Sequence, residues 1–314
     1  MSNDYKSKAY TAGNFALTID DESNKSTAYL KTVDGGFVNT SIVDEPTGGE
    51  QYRVKHTSVA SISPISCEFG LSGAWGVMKW IRDSWSRNFS RRNGSITHAD
   101  FNLNETYYQD FSDALITETT FPTLDGSSKD PAMLKLKFLP ERLIDKHKTG
   151  TNIDVTDQNI PPKQKMWLCS GFRFKIDGVD DLDGVNKIDS FTIKQGVKQF
   201  YMGQDRFPQI EPTKIEFPNI TGTIAQGNAA GLQQWYKQTV ANGIADPKAQ
   251  RSGSLEFLAP DKTEVLFRIV FAQCGLLKLE MMPSTANSAE IKRMKFEIFV
   301  SEMELDGKNM ASGG

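Results

Sequence analysis

Gly13-Asn14-Phe15-Ala16-Leu17-Thr18-Ile19-Asp20 is the first patterned stretch of the chain, and Gly171-Phe172-Arg173-Phe174-Lys175-Ile176-Asp177 repeats its form past the middle. Both alternate apolar with other residues and end in Ile-Asp, as a short strand running into a turn does. Further along, Trp80-Ile81-Arg82-Asp83-Ser84-Trp85 is answered by Trp235-Tyr236-Lys237-Gln238-Thr239-Val240. Arg92-Asn93-Gly94-Ser95-Ile96 is answered by Arg251-Ser252-Gly253-Ser254-Leu255, and Leu134-Lys135-Leu136-Lys137-Phe138 by Phe296-Glu297-Ile298-Phe299-Val300. The order is the same in both halves. The spacing stays at about 155–160 residues, far beyond solenoid periods. The pattern predicts a tandem duplication of one domain.

The rest of each half reads mainly as strands. Tyr52 to His56, Ile65 to Phe69, Phe111 to Phe121, Asp189 to Val197 and Lys214 to Phe217 carry alternation or β-branched and aromatic residues. Val265 to Phe271 is an almost continuous apolar run, as in a strand covered on both faces. One amphipathic helix interrupts each half. Ala74 to Phe89 spaces Trp75, Met78, Ile81 and Trp85 by three and four, and Ala229 to Asn242 does so with Leu232, Trp235, Tyr236 and Val240 before Gly243. Trp80, Trp85, Trp235 and Tyr236 are therefore expected to anchor the helices on their sheets. Arg92 with Gly94, and Arg251 with Gly253, are expected to form a repeated turn. The fold expected is mainly β: two tandem β-barrel or sandwich domains, each with one flanking α-helix. Domain one is placed at 8–144 and domain two at 166–306. Between them 145–165, with Thr149-Gly150-Thr151-Asn152 and Pro161-Pro162, reads as a linker, and 307–314 as a mobile tail.

Composition narrows function. Of 314 residues 38% are hydrophobic, so cores should be thin, yet 19 Phe, 8 Tyr and 5 Trp are too many for a disordered chain. A net charge of −3 supplies no general electrostatic drive toward nucleic acid. Cys67, Cys169 and Cys274 stand far apart without a C-x-x-C or a histidine cluster, which predicts buried thiols, no metal and no cofactor. The polar start Met1-Ser2-Asn3-Asp4 and the lack of a long apolar run predict a soluble chain made in a cytoplasm without a cleaved signal.

Candidate chemistry is sparse. The histidines are His56, His98 and His147, and only His98 has a nearby acid, Asp100. No nucleophile elbow, zinc-protease helix, Walker loop or dinucleotide fingerprint is present. Asp177-Gly178-Val179-Asp180-Asp181-Leu182-Asp183-Gly184 has the look of a calcium loop, but the twelfth position is Ile188 where a closing Glu is needed. It reads better as a hairpin tip. Arg87, Arg91 and Arg92 beside Trp85 and Phe89 could meet nucleic acid, line a pore, pair with a neighbouring subunit or be solvated.

Taken together these residues resemble the tail-tube family of contractile phage tails and related contractile injection systems. Gly13 to Asp20 is similar to that family's first strand and Ala28-Tyr29-Leu30-Lys31-Thr32-Val33-Asp34-Gly35-Gly36 to its next segment. The helix with Trp80 and Ile81, the Arg92 to Ile96 segment, and Phe121-Pro122-Thr123-Leu124-Asp125-Gly126 before Leu134 to Phe138 follow in the family's order. The second half resembles the family only through the repeat, and members usually carry one such domain. The resemblance implies a non-catalytic protein of stacked six-fold rings, assembled in a bacterial or archaeal cytoplasm into a virion tail or injection particle. Its partners would be neighbouring tube, sheath, spike or baseplate proteins, with DNA or effector cargo in the lumen and no membrane insertion of its own. It leaves open a tube protomer, a tube-initiating ring or a hub ring. It also leaves open three chains per ring, the favoured count, or six. The competing reading is a monomeric double β-sandwich that binds carbohydrate or protein.

Overall fold

The computed structural model describes residues 13–20, 25–45, 53–71, 74–147, 167–241, 243, 250–285 and 289–307. Most of 145–165 and 307–314, and the side chain of His147, lie outside that description. In the first half the strands are β1 (Asn14–Asp20), β2 (Lys25–Asp34), β3 (Val38–Glu45), β4 (Val54–Ile62) and β5 (Ile65–Phe69). Helix α1 (Trp75–Trp85) follows, then β6 (Arg92–Ala99), β7 (Glu105–Phe121), β8 (Leu124–Asp125), β9 (Leu134–Leu139) and β10 (Arg142–His147). The second half holds β11 (Phe172–Ile176), β12 (Val185–Ile188), β13 (Phe191–Phe200), β14 (Gln209–Glu216) and β15 (Ile220–Ala225). Helix α2 (Ala230–Tyr236), β16 (Arg251–Leu258), β17 (Val265–Met281) and β18 (Arg293–Asp306) complete it.

The first half is a closed barrel. Antiparallel pairing runs from β1 to β2, β5, β9, β7, β6 and back to β1. The second half keeps the order as β12, β15, β18, β17, β16, β11, but β11 and β12 do not pair. The segment expected to be a hairpin tip, Asp177 to Gly184, is therefore a link between opposite ends of an open sheet. Asp181, at φ 62, and a 3-10 turn over Leu182–Gly184 break the direction there. At four residues β12 is also too short to follow β11, whereas β2 has ten.

The two halves share irregularities as well as order. A bulge falls between Ile116 and Glu118 in β7 and between Leu276 and Lys278 in β17. A second falls between Leu30 and Thr32 in β2 and between Val185 and Lys187 in β12. Asp113 and Gln273, at φ 53 and 54, bend the two long strands at matching points.

Arg92 and Gly94 open β6, and Arg251 and Gly253 open β16, so these segments are strands and not the expected turns. The glycines are there for close approach. A Cβ on Gly94 would lie 2.2 Å from the Thr18 carbonyl oxygen, and one on Gly253 2.4 Å from that of Lys175. Both glycines sit opposite matched residues, Ile19 and Ile176 on one side and Phe111 and Phe271 on the other.

Helix α2 packs on β17 of its own half, whereas α1 lies in the seam, against β2 and β7 of the first half and β18 of the second. Trp80 is fully buried and meets Phe138 edge-on at 5.5 Å, while its indole N–H donates to the Ser90 carbonyl at 3.0 Å. Trp85 packs on Phe121. Trp235 is buried under the Arg251 guanidinium, 5.5 Å above its ring, and Tyr236 is half-buried. Helix α2 is short and runs on as a π turn over Lys237–Ala241. The apolar core is continuous through both halves.

Candidate assembly interface

The feature that can do something beyond folding is the way one half takes hold of the other. Strands β3 and β4 form a hairpin rising from the first half, and β13 and β14 form its counterpart in the second. The counterparts match in detail. The irregularity between Thr40 and Ile42 in the first hairpin reappears between Gln195 and Val197 in the second.

Their surroundings differ. The second hairpin is laid along the far end of β7, with Phe191 opposite Phe121, Thr192 opposite Thr120, Ile193 opposite Thr119 and Lys194 opposite Glu118. It continues the edge of β7 that β6 occupies nearer the start. Phe191 and Ile193 fall to 5% and 2% exposure, a gain of roughly 1.5–3 kcal/mol for each apolar side chain removed from water. The Thr120 and Thr192 hydroxyls lie 2.9 Å apart, and Ser84 Oγ donates to Gln195 Oε1. Strand β8 adds a second seam by pairing with β12. The first hairpin stands as a separate two-stranded sheet whose β3 is exposed throughout.

Charge clamps the junction. Arg91 donates to Glu141 at 2.6 Å on the first half, and to the Ile210 carbonyl at 2.6 Å and Glu211 at 3.1 Å on the second hairpin. Arg92 pairs with Asp83 and Arg87 with Glu302. The arginine cluster that could have faced nucleic acid is thus engaged in ion pairs, two of them joining the halves. Sequence alone could not show this, because Glu141, Glu211 and Glu302 lie far along the chain.

The remaining candidates carry no constellation. The Asp100 carboxylate accepts from the backbone N–H groups of Asn102 and Asn104 and from the Asn104 amide, which holds its pKa below the ordinary value. His98 sits between the rings of Phe15 and Tyr107, and burial lowers its pKa. His56 meets Glu45 on the exposed hairpin. Cys67, Cys169 and Cys274 are free and buried, and burial pushes Cys67 and Cys274 up to about 12. Among the described residues no group of acids, histidines and cysteines could hold a metal, and no helix is long and apolar enough to cross a membrane.

No family model and no curated protein matches the chain. Solved structures do. One is from the baseplate of the anti-feeding prophage, at TM-score 0.41 and 14% identity over 45% of this chain and 98% of that one. Another belongs to the sheath–tube complex of the extracellular contractile injection system PVC, at 0.38 and 18% over 46% and 94%. A third is Hcp1 from Flavobacterium johnsoniae, at 0.26 and 15% over 43% and 94%.

Proposed function

We propose that the protein is a structural ring former of a contractile tail or injection system, within the inner tube or at a tube-initiating or hub ring. It would act as part of a conduit for DNA or effector cargo and perform no catalysis. Each half would count as one tube-like domain, with domain one over 8–144 and domain two over 166–306. Three chains would then supply six domains around one pore.

The observation that carries this reading is the pairing of β13 with β7. Two units of the same strand order are joined in one chain by a hairpin of one laid on a strand of the other. A contact of that kind runs head to tail, and head-to-tail contacts close into rings when the rotation permits. The sequence resemblance supports the same reading.

Mass photometry of the purified chain, followed by microscopy reconstruction without imposed symmetry, tests it. The expected particle is a ring of three chains with a central hole and approximate six-fold symmetry. Six chains around one pore would reject the three-chain count and keep the ring. A monomer at all concentrations, with affinity for a glycan or protein, would replace the reading by that of a binding module.

A further inference from the structure

The internal contact leaves one donor and one acceptor unused. The unused donor is the first hairpin, where Phe37 and Val38 are 59% and 45% exposed although their counterparts in β13 lie against β7. The unused acceptor is the far end of β17. There Lys278 pairs with Glu297 just past the bulge, as Glu118 pairs with Lys137 in β7. Strand β16 borders β17 only as far as Cys274, so among the described residues no strand borders 278–281 on that side. Leu277, Met281 and Met282 are exposed there.

We propose that β3 of one copy adds as a strand to the free edge of β17 in a second copy, with Val38 opposite Leu279 and Asn39 opposite Lys278. The register follows from the bulges. Val38 and Ile193 each stand two residues before the matching irregularities in their hairpins, and Leu279 and Thr119 each stand one residue after the paired Lys278 and Glu118. Ile193 opposite Thr119 thus becomes Val38 opposite Leu279.

Hydrogen-bond direction agrees independently. The Phe37 N–H donates to Ser63 Oγ, and its carbonyl accepts from the Ser63 N–H, so both Phe37 groups face into the hairpin. Alternation along an antiparallel pair then turns the N–H and C=O of Val38 outward. On β17 the Met282 N–H donates to Arg293 across the β18 side. Alternation again turns the groups of Leu279 to the free edge. Val38 and Leu279 are therefore both ready to exchange bonds. The pairing begins at Phe37, because the Gly36 carbonyl is already held by the Gln109 amide at 3.0 Å.

A second copy is the occupant because the chain already contains the same pairing between its own halves. Strand addition also covers an edge that would otherwise invite uncontrolled pairing. The ionic clamp is not reproduced: the positions of Arg91, Glu141 and Glu211 are taken by Gln250, Ser301 and His56. The joint between copies therefore lacks the charge of the joint within a copy. Closure of the series into a ring rests on the ring-forming reading, whereas the strand contact does not.

Cysteine cross-linking tests the contact. Asn39 and Lys278 fall at a non-hydrogen-bonded pair, where Cα atoms are about 4.5 Å apart, within disulfide reach. Mixing Asn39→Cys protein with Lys278→Cys protein under mild oxidation should yield a covalent dimer, and the double variant a ladder ending at the closed assembly. Asn39→Cys with Met282→Cys, roughly 13 Å out of register, should yield none. In parallel, Val38→Pro removes the outward N–H that the hairpin itself does not use. It should abolish assembly and leave the folded spectrum unchanged. Rings that form without the 39–278 link, or with the 39–282 link instead, overturn the contact and leave the ring reading standing. Assembly that survives Val38→Pro does the same. A monomer at every concentration overturns both.

Discussion

Phe121 and Phe191 stack ring on ring, 5.0 Å between centroids and 11° from parallel, across the line where one half of the chain meets the other. Phe121 also stacks on Phe257 at 5.6 Å and lies against Trp85, so one side chain gathers β7, β13, β16 and α1. Phe121→Ala is expected to cost about 3–5 kcal/mol in unfolding free energy. Chemical denaturation checks this, and the loss should be shared by probes placed in either half.

The paired glycines make a second test. Gly94→Ala and Gly253→Ala should each destabilise by roughly 1–3 kcal/mol, since a methyl group would be driven into backbone oxygen. Gly203→Ala meets nothing within 4 Å and should be neutral or stabilising by up to about 1 kcal/mol. Thermal melts of the three variants decide it. Equal effects at Gly94 and Gly203 would refute the close-approach account.

Removing the Arg91 side chain takes a charged donor from Glu141, Glu211 and the Ile210 carbonyl at once, although Glu141 keeps the Ile210 N–H at 3.0 Å. Arg91→Ala should cost about 1.5–3 kcal/mol, the range for hydrogen bonds to charged groups. Amide exchange should quicken over Gln209–Glu216 before it does in the first barrel. Uniform quickening would show that the clamp does not hold the hairpin.

His98 supplies a pH dependence with a definite sign. Burial holds its folded pKa below the ordinary 6.5, so the unfolded chain takes up the proton first as pH falls. Its contribution is full above 6.5 and is lost as pH drops from there through the folded pKa. The melting temperature should therefore fall between pH 7.5 and 5.5, and His98→Gln should flatten that slope. Asp100 and Asp125, whose pKa values are lowered by hydrogen bonds from their turns, act only below the ordinary 3.8 and leave this window clear.

The thiols of Cys67 and Cys274, pushed to about 12 by burial, and of Cys169, raised by burial, should resist maleimide at pH 8. Labelling should appear only with unfolding, which mass spectrometry reads directly. Fast labelling of the native chain would contradict the burial.

Local pattern sufficed for many of the strands and for the presence of both helices. Ile65 to Phe69 alternates and is β5, and the apolar run Val265 to Phe271 opens β17. Side-chain periodicity is a property of neighbouring residues, so sequence by itself determined the β class, the repeated order and one helix in each half. The Arg-x-Gly-Ser segments were misread because glycine marks both turns and strands crowded by other backbones. Only the second case applies, and it depends on Thr18 and Lys175, remote residues.

Tertiary structure alone decided the rest. The alternating, apolar-bearing hairpins β3–β4 and β13–β14 are matched down to their bulges, yet β3 is exposed throughout whereas Phe191, Ile193 and Gln195 of β13 are buried. Nothing local separates them. What separates them is which strand edge lies within reach after folding, and hydrogen bonding along an edge is set by position in space. The closed first barrel and the open second one follow the same rule, since β12 found β8 at its edge where β2 found β1.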